Sequence, residues 1–266
     1  MGKYLGIDSS TQSMTGLGID TDRGEIFLEL SVNFDQHFAE EFDIDNGVID
    51  LGGGQFHSSP LMWARGLELL FKQLRGECDL SELEAISGSG QQHGTVYLNA
   101  DAPACLASLD GQTPLAEQLA GVFSRPTAPI WMDTSTTDQC REIEEVLGGS
   151  QALLELTGNT AFERFSGPQI RKFWQQDPAE YERTDCIALV SSYVASLLAG
   201  RLVGVDAGDG SGTNLMDIRQ RNWSASAMEA TAPDLSEKLL PVAAAGTVLS
   251  LIHISEPTRR TPISYA

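Results

Sequence analysis

The run Asp8-Ser9-Ser10-Thr11-Gln12 puts one carboxylate and three hydroxyls into a turn between two short apolar strands, Tyr4 to Ile7 and Thr15 to Ile19. Such a turn leaves backbone N–H groups and hydroxyls free to hold phosphate. Asp8 adds the hard oxygen that Mg²⁺ takes beside that phosphate. His93 follows Gln91 and Gln92 in the glycine-rich stretch Gly88 to Gly94. A neutral imidazole there can bond a hydroxyl, with the flanking amides adding further bonds, or it can cap its own turn. Arg164 lies between Phe162 and Phe165, where its planar fork can grip a substrate oxygen or pair with Glu163. Asp133 ends Pro129-Ile130-Trp131-Met132-Asp133 and can serve hydroxyl binding, metal binding or the approach to a helix near Thr136.

Other polar clusters point to less chemistry. Asp206 and Asp209 are spaced like loop ligands, but no suitably placed glutamate closes a Ca²⁺ loop, and a tight turn accounts for them. Gly88-x-Gly90 could open a dinucleotide fingerprint, yet a strand, Thr95 to Leu98, follows where a helix is required. Cys78, Cys105, Cys140 and Cys186 are scattered without a C-x-x-C pair, which reads as free thiols in a reducing cytoplasm.

The totals limit the partners. A formal charge of −20 over 266 residues, from 37 acidic and 17 basic side chains, argues against nucleic acid and anionic membranes. An acidic protein that handles phosphate needs Mg²⁺, backbone amides and a few placed cations. The apolar stretches are too short for a membrane span, and the N-terminus enters a strand at once without an export signal.

These groups need a mixed α/β frame. Ile26, Leu28, Leu30, Val32 and Phe34 continue the first two strands as a third, in a meander unlike a doubly wound dinucleotide fold. Residues 35 to 58 are acidic and glycine-rich and read as a surface loop. Ser58 or Ser59 caps a helix with Pro60 in its first turn. Ala85 to Ser87 and Thr95 to Leu98 read as strands, and 99 to 127 as a polar connection. Helices are expected from Thr136 or Thr137 to Gly148, from Ser166, and from Ser191 to Leu198, the last after a strand from Asp185 to Val190. Residues 249 to 266 lack amphipathic periodicity, and Leu249 to Arg260 reads like a translated sequencing adapter. The segment 247–266 is therefore expected to be non-native or disordered, and 1–246 to be the folded domain.

In order along the chain, the Asp8 to Gln12 turn, Ser89-Gly90-Gln91-Gln92-His93-Gly94, Pro129 to Asp133, Thr157-Gly158-Asn159 and Asp209-Gly210-Ser211-Gly212 resemble the FGGY carbohydrate kinases. Within that family, Trp131 to Thr137, Glu163-Arg164-Phe165 and Val190-Ser191-Ser192 are most similar to the xylulose kinases, the animal-type branch in particular. The resemblance covers roughly residues 1 to 245. It implies an actin-like, ribonuclease-H-like domain, the first of two, with ATP and a ketopentose such as D-xylulose meeting between them. It places Asp8 near Mg²⁺ and Ser9, Ser10, Thr11 and Gln12 toward the transferred phosphate. It places His93, Arg164, Gln92 and Asp133 around the sugar. The family's general base is an aspartate in a Gly-Asp-Asn motif, and no such triplet occurs in this sequence. An apolar face at Leu239, Leu240 and Val242 is expected where the second domain would pack.

Overall fold

The computed structural model describes residues 2–244, 246–252 and 261–264. Its centre is the meander the alternation predicts. Strands β1 (Lys3–Ser9), β2 (Ser13–Asp20) and β3 (Glu25–Asn33) pair antiparallel in succession. Leu5, Ile7 and Met14 are buried from alternating positions, as a half-covered sheet requires.

Residues 35 to 58 depart from the expected loop. Asn33 caps α1 (Phe34–Phe42) by accepting from the Gln36 N–H at 3.0 Å, and the helix buries Phe34 and Phe38. Strands β4 (Ile49–Gly52) and β5 (Gln55–Ser58) then form a hairpin. The acidic residues that suggested a loop lie on the outer face, while Phe34, Phe38, Ile44 and Val48 at wide spacing carry the burial. Helix α2 (Pro60–Glu77) follows, with Pro60 at its first turn as expected, and buries Trp63, Leu67, Leu70 and Leu74 in the main core.

The step that organises the site is not local. Strand β6 (Leu83–Gly90) runs parallel to β1, and opposes Asp8 with Ser89 and Ser9 with Gly90. It extends three residues beyond the expected Ala85–Ser87 at its C-terminal end, because Gly88, Ser89 and Gly90 still have partners in β1. After it come β7 (Thr95–Leu98), α3 (Ala102–Ala107) and α4 (Leu115–Leu119), so the polar connection holds two short helices. Strand β8 covers only Ala128–Pro129, and Trp131–Met132 turn away from it.

Helices α5 (Thr137–Leu147) and α6 (Ser150–Thr157) are joined by Gly148 and Gly149, and α7 (Ser166–Gln176) precedes the short α8 (Pro178–Glu182). Neither Thr136 nor Ser166 caps its helix with its side chain. Thr136 Oγ1 donates to the Glu163 carbonyl at 2.6 Å, and Ser166 Oγ to the His93 carbonyl at 3.2 Å. Strand β9 (Cys186–Leu189) pairs with β7 and leads into α9 (Val190–Ala199), which Gly200 ends. Beyond it lie β10 (Val205–Asp206), α10 (Ala207–Ser211), and the ribbon β11 (Met216–Asp217) with β12 (Asn222–Trp223). Helices α11 (Ala225–Thr231) and α12 (Leu235–Lys238) and strand β13 (Val242–Ala243) complete this part.

The expected apolar face is largely covered. Leu240 is buried in the main core, Leu239 packs on a second core around Tyr97, Phe173 and Tyr181, and Val242 pairs with Val205. In the tail, the backbone of β14 (Val248–Ile252) and β15 (Thr261–Ser264) forms a hairpin beside β6. This segment was expected to be non-native or disordered. The free backbone edge of β6 gives its β-prone residues a place to pair. Residues 253–260, most of the adapter-like run, lie outside the described residues.

Candidate functional site

The alternation of β1 sorts the phosphate-turn residues. Asp8 is half-buried at the strand end, whereas Ser9 shares the buried face of Leu5 and Ile7 and is 0% exposed, its hydroxyl without a partner among the described residues. Ser9 was expected to face the phosphate; the pleat turns it inward. Ser10 Oγ donates to Asp8 Oδ2, and Ser89 Oγ donates to Asp8 Oδ1 at 2.6 Å. The carboxylate is thus held from both the turn and β6.

Thr11 is fixed from two sides. The Trp131 indole N–H donates to Thr11 Oγ1 at 2.8 Å, and that hydroxyl donates to Gln91 Oε1 at 3.2 Å. The Gln91 backbone N–H also donates to the Ser9 carbonyl at 2.8 Å, and its side-chain Nε2 has no partner among the described residues. Ser10, Thr11 and Gln12 form one wall of a cleft of about 870 Å³, with Trp131 and Met132 beside them and the Asp43–Asp50 segment opposite. Gly47 lets that segment approach. Its φ is +76°, and a Cβ there would sit 2.1 Å from the Thr11 carbonyl oxygen.

One turn further along, His93 adopts φ +70°. Its Nδ1 lies 2.7 Å from the Gly212 carbonyl oxygen, so Nδ1 carries the proton and Nε2 is left as an acceptor. The ring packs against Phe165 with centroids 4.6 Å apart. A Cβ on Gly212 would stand 2.9 Å from His93 Cε1, so only glycine lets this carbonyl come so close. Burial pushes the His93 pKa below its ordinary 6.5; the bond to Gly212 opposes this, and nearby Arg164 adds to the lowering. The ring is neutral at pH 7.

Arg164 is exposed, with its guanidinium 5.0 Å from the Phe162 ring centre. It makes no ion pair with Glu163, whose Oε1 instead accepts from Thr137 Oγ1 at 3.2 Å. His93 and Arg164 therefore form one patch with Phe165, and Gln92 projects from it exposed. Asp133 does not join them. It is 0% exposed, and Oδ1 accepts from Gln169 Nε2 at 2.7 Å and from the Ser135 N–H at 2.9 Å. Oδ2 accepts from the Phe56 N–H at 3.2 Å and lies 3.7 Å from His57 Nε2. It was expected to line the cleft; instead it ties β5 to α7.

Ser89, Gln91, Trp131, Phe165 and the Gly212 carbonyl are site groups that residue-type reasoning passed over. Their quoted motifs marked the places, but their roles come from contacts between distant segments. Asp206 and Asp209 belong to a short helix rather than to the expected tight turn, Asp206 as the N-cap of α10 and Asp209 within it. Asp206 accepts from the Gly208 N–H at 2.7 Å, and Asp209 accepts from Ser191 Oγ. The arrangement offers hard oxygens and a small-residue turn on one strand end, and on the next a neutral imidazole with a guanidinium that has no ion pair among the described residues.

Comparison with known proteins bears on this geometry. The chain is 45% identical over 238 residues to xylulose kinase 2 of Arabidopsis thaliana, covering 89% of this chain and 42% of that protein. It is 43% identical over 237 residues to the xylulose kinase of Rattus norvegicus, covering 88% and 44%. Plant and animal relatives are thus about equally similar. The chain spans less than half the length of these relatives. Among solved structures, a xylulose kinase from Rhodospirillum rubrum superposes with a TM-score of 0.77 at 16% identity, over 99% of this chain and 48% of that one. A Plasmodium falciparum glycerol kinase with ADP gives 0.74 at 18% identity, with the same coverage. Both likenesses establish the expected fold, that of the first half of an actin-like sugar kinase. The model for the N-terminal domain of the FGGY family of carbohydrate kinases matches residues 126–258, and the chain belongs to that family.

Proposed function

We propose that this chain is the sugar-binding half of an ATP-dependent kinase that converts D-xylulose to D-xylulose 5-phosphate in the complete protein. The observation that carries the reading is the parallel pairing of β1 with β6. It sets Asp8 against Ser89 and sends the chain directly on to Gln92 and His93, so phosphate-holding and sugar-holding groups leave adjacent strands. The 45% identity to a xylulose kinase supports the choice of sugar. Fold likeness does not, since a glycerol kinase superposes almost as well.

In this reading His93 Nε2 accepts from a sugar hydroxyl, Arg164 donates its planar fork to substrate oxygens, and Gln92 adds an amide at the rim. Ser10, Thr11 and Gln12 face the transferred phosphate. The donors around Asp8 are a carboxylate and hydroxyls, all hard oxygens, and they fit Mg²⁺. Asp8 would hold that ion, which supplies charge neutralisation to the phosphates when bound. The free thiols at Cys78 and Cys105 support a reducing compartment, the cytoplasm.

Turnover is expected from the complete protein and not from these 266 residues, which lack the Gly-Asp-Asn motif that the resemblance assigns to the general base. A coupled ADP-release assay over D-xylulose, D-ribulose and glycerol tests this on both forms. The highest kcat/KM for D-xylulose, with Mg-ATP and the complete protein only, is the expected result. Activity of the short chain would overturn the division of labour, and a preference for glycerol would move the protein to another branch. D-xylulose binding without turnover by the complete protein would make it a non-catalytic sugar-binding protein.

A further inference from the structure

A second concavity, of about 400 Å³, lies between α2, the loop before α4, and α9, and shares no residue with the Asp8–His93 site. Its volume falls within the range of small-molecule pockets. Leu67, Phe71, Leu115, Leu197 and Leu198 supply an apolar floor from three separate elements. Leu67 and Leu197 are buried, and the others are half-buried.

Four charged residues rim it, and they are not equivalent. Glu68 faces Arg65, its Oε2 lying 3.7 Å from Arg65 Nη1. Asp110 accepts from the backbone N–H groups of Gln112 and Thr113 at 2.7 and 2.8 Å, within its own loop. Lys72 and Arg75, three residues apart on one face of α2, are exposed and make no ion pair or hydrogen bond among the described residues. Glu68 faces a cation of its own helix and Asp110 is held by its own loop, whereas Lys72 and Arg75 are without an ion pair among the described residues, in a protein of net charge −20 with only 17 basic residues. The geometry points to a binding site for a small amphiphilic anion, an apolar chain bearing one carboxylate, with the chain on the leucine floor and the carboxylate between Lys72 and Arg75.

The overall charge makes the test sharp. Non-specific association with so acidic a chain favours cations, so a saturable preference for an anion must come from a local site. Calorimetric titration of the 266-residue chain with sodium octanoate and with octylammonium is the experiment. We expect one-to-one saturable binding of octanoate and only weak, non-saturating association of octylammonium. Lys72→Gln with Arg75→Gln weakens octanoate binding about tenfold or more, while Arg75→Lys retains most of it. Both positions are exposed, and unchanged circular dichroism and melting verify that the variants fold. No saturable octanoate binding, equally saturable one-to-one binding of octylammonium, or undiminished octanoate binding by the folded double variant would each overturn the assignment.

Discussion

His93 and Arg164 carry the sugar-binding reading because the structure leaves each with an unused group. His93 commits Nδ1 to Gly212 and keeps Nε2 open, and Arg164 makes no ion pair among the described residues. Replacing either with Ala is expected to weaken D-xylulose binding by this chain roughly 10–100-fold, read by calorimetry. Arg164→Lys should recover only part of the loss, since an ammonium lacks the planar fork. Because burial holds the His93 pKa below 6.5, affinity should be flat from pH 8 to 6.5. It should fall at lower pH as the imidazolium loses its acceptor. A rise in affinity on acidification would remove His93 as an acceptor. Asp133 is the counter-example among the residues marked at the outset. Its residue type suggested a ligand, but its burial and four partners make it a brace.

Elements hold these groups through a few close contacts, and two are measurable. Gly47 brings the Asp43–Asp50 segment against Thr11 with a positive φ that a side chain tolerates poorly. Gly47→Ala should cost about 1–3 kcal/mol in urea denaturation, and more if the carbonyl contact cannot relax. His57 joins β5 to the 124–130 segment through Thr127 Oγ1 at 2.8 Å, and to Asp133. Its pKa is pushed down to about 3, chiefly by burial and next by Arg125, against the pull of Asp133. The unfolded chain takes up this proton first, near pH 6.5, so the His57 contribution is present above that pH and is lost as pH falls toward 3. Between pH 7 and 4.5 the protein should lose about 2–3 kcal/mol that a His57→Gln variant does not lose. Parallel slopes for the two would show that His57 is not the buried base.

At the scale of the molecule, one six-stranded sheet in the order β14-β15-β6-β1-β2-β3 carries both the phosphate turn and the approach to His93. The main core is built from the central meander, α2, α9 and β6, and the backbone of the hairpin β14–β15 pairs with the outer edge of β6. In our reading residues 1–246 form the domain. A chain ending at Gly246 should therefore unfold cooperatively, with Tm within a few degrees of the full chain. Loss of the cooperative transition would make the hairpin part of the fold. Within the central meander, β1 and β2 were legible because each follows its own alternation. The helix at Phe34 was not, because Asp35, Glu40 and Glu41 on its outer face masked two buried phenylalanines.

The sequence by itself determined the meander, the starts of α2, α5, α7 and α9, the ordered motifs and the acidic charge, since propensity and periodicity act over neighbouring residues. It also placed the turn at Asp8 and the histidine at 93, and the resemblance gave their family. The tertiary structure decided which of these groups work together. The register of β6 on β1 joined Ser89 to Asp8, and a loop 119 residues away fixed the proton on His93. The same packing turned Ser9 and Asp133 inward. Such outcomes depend on contacts between distant segments, whose energies come from the packed whole and leave little trace in any local stretch.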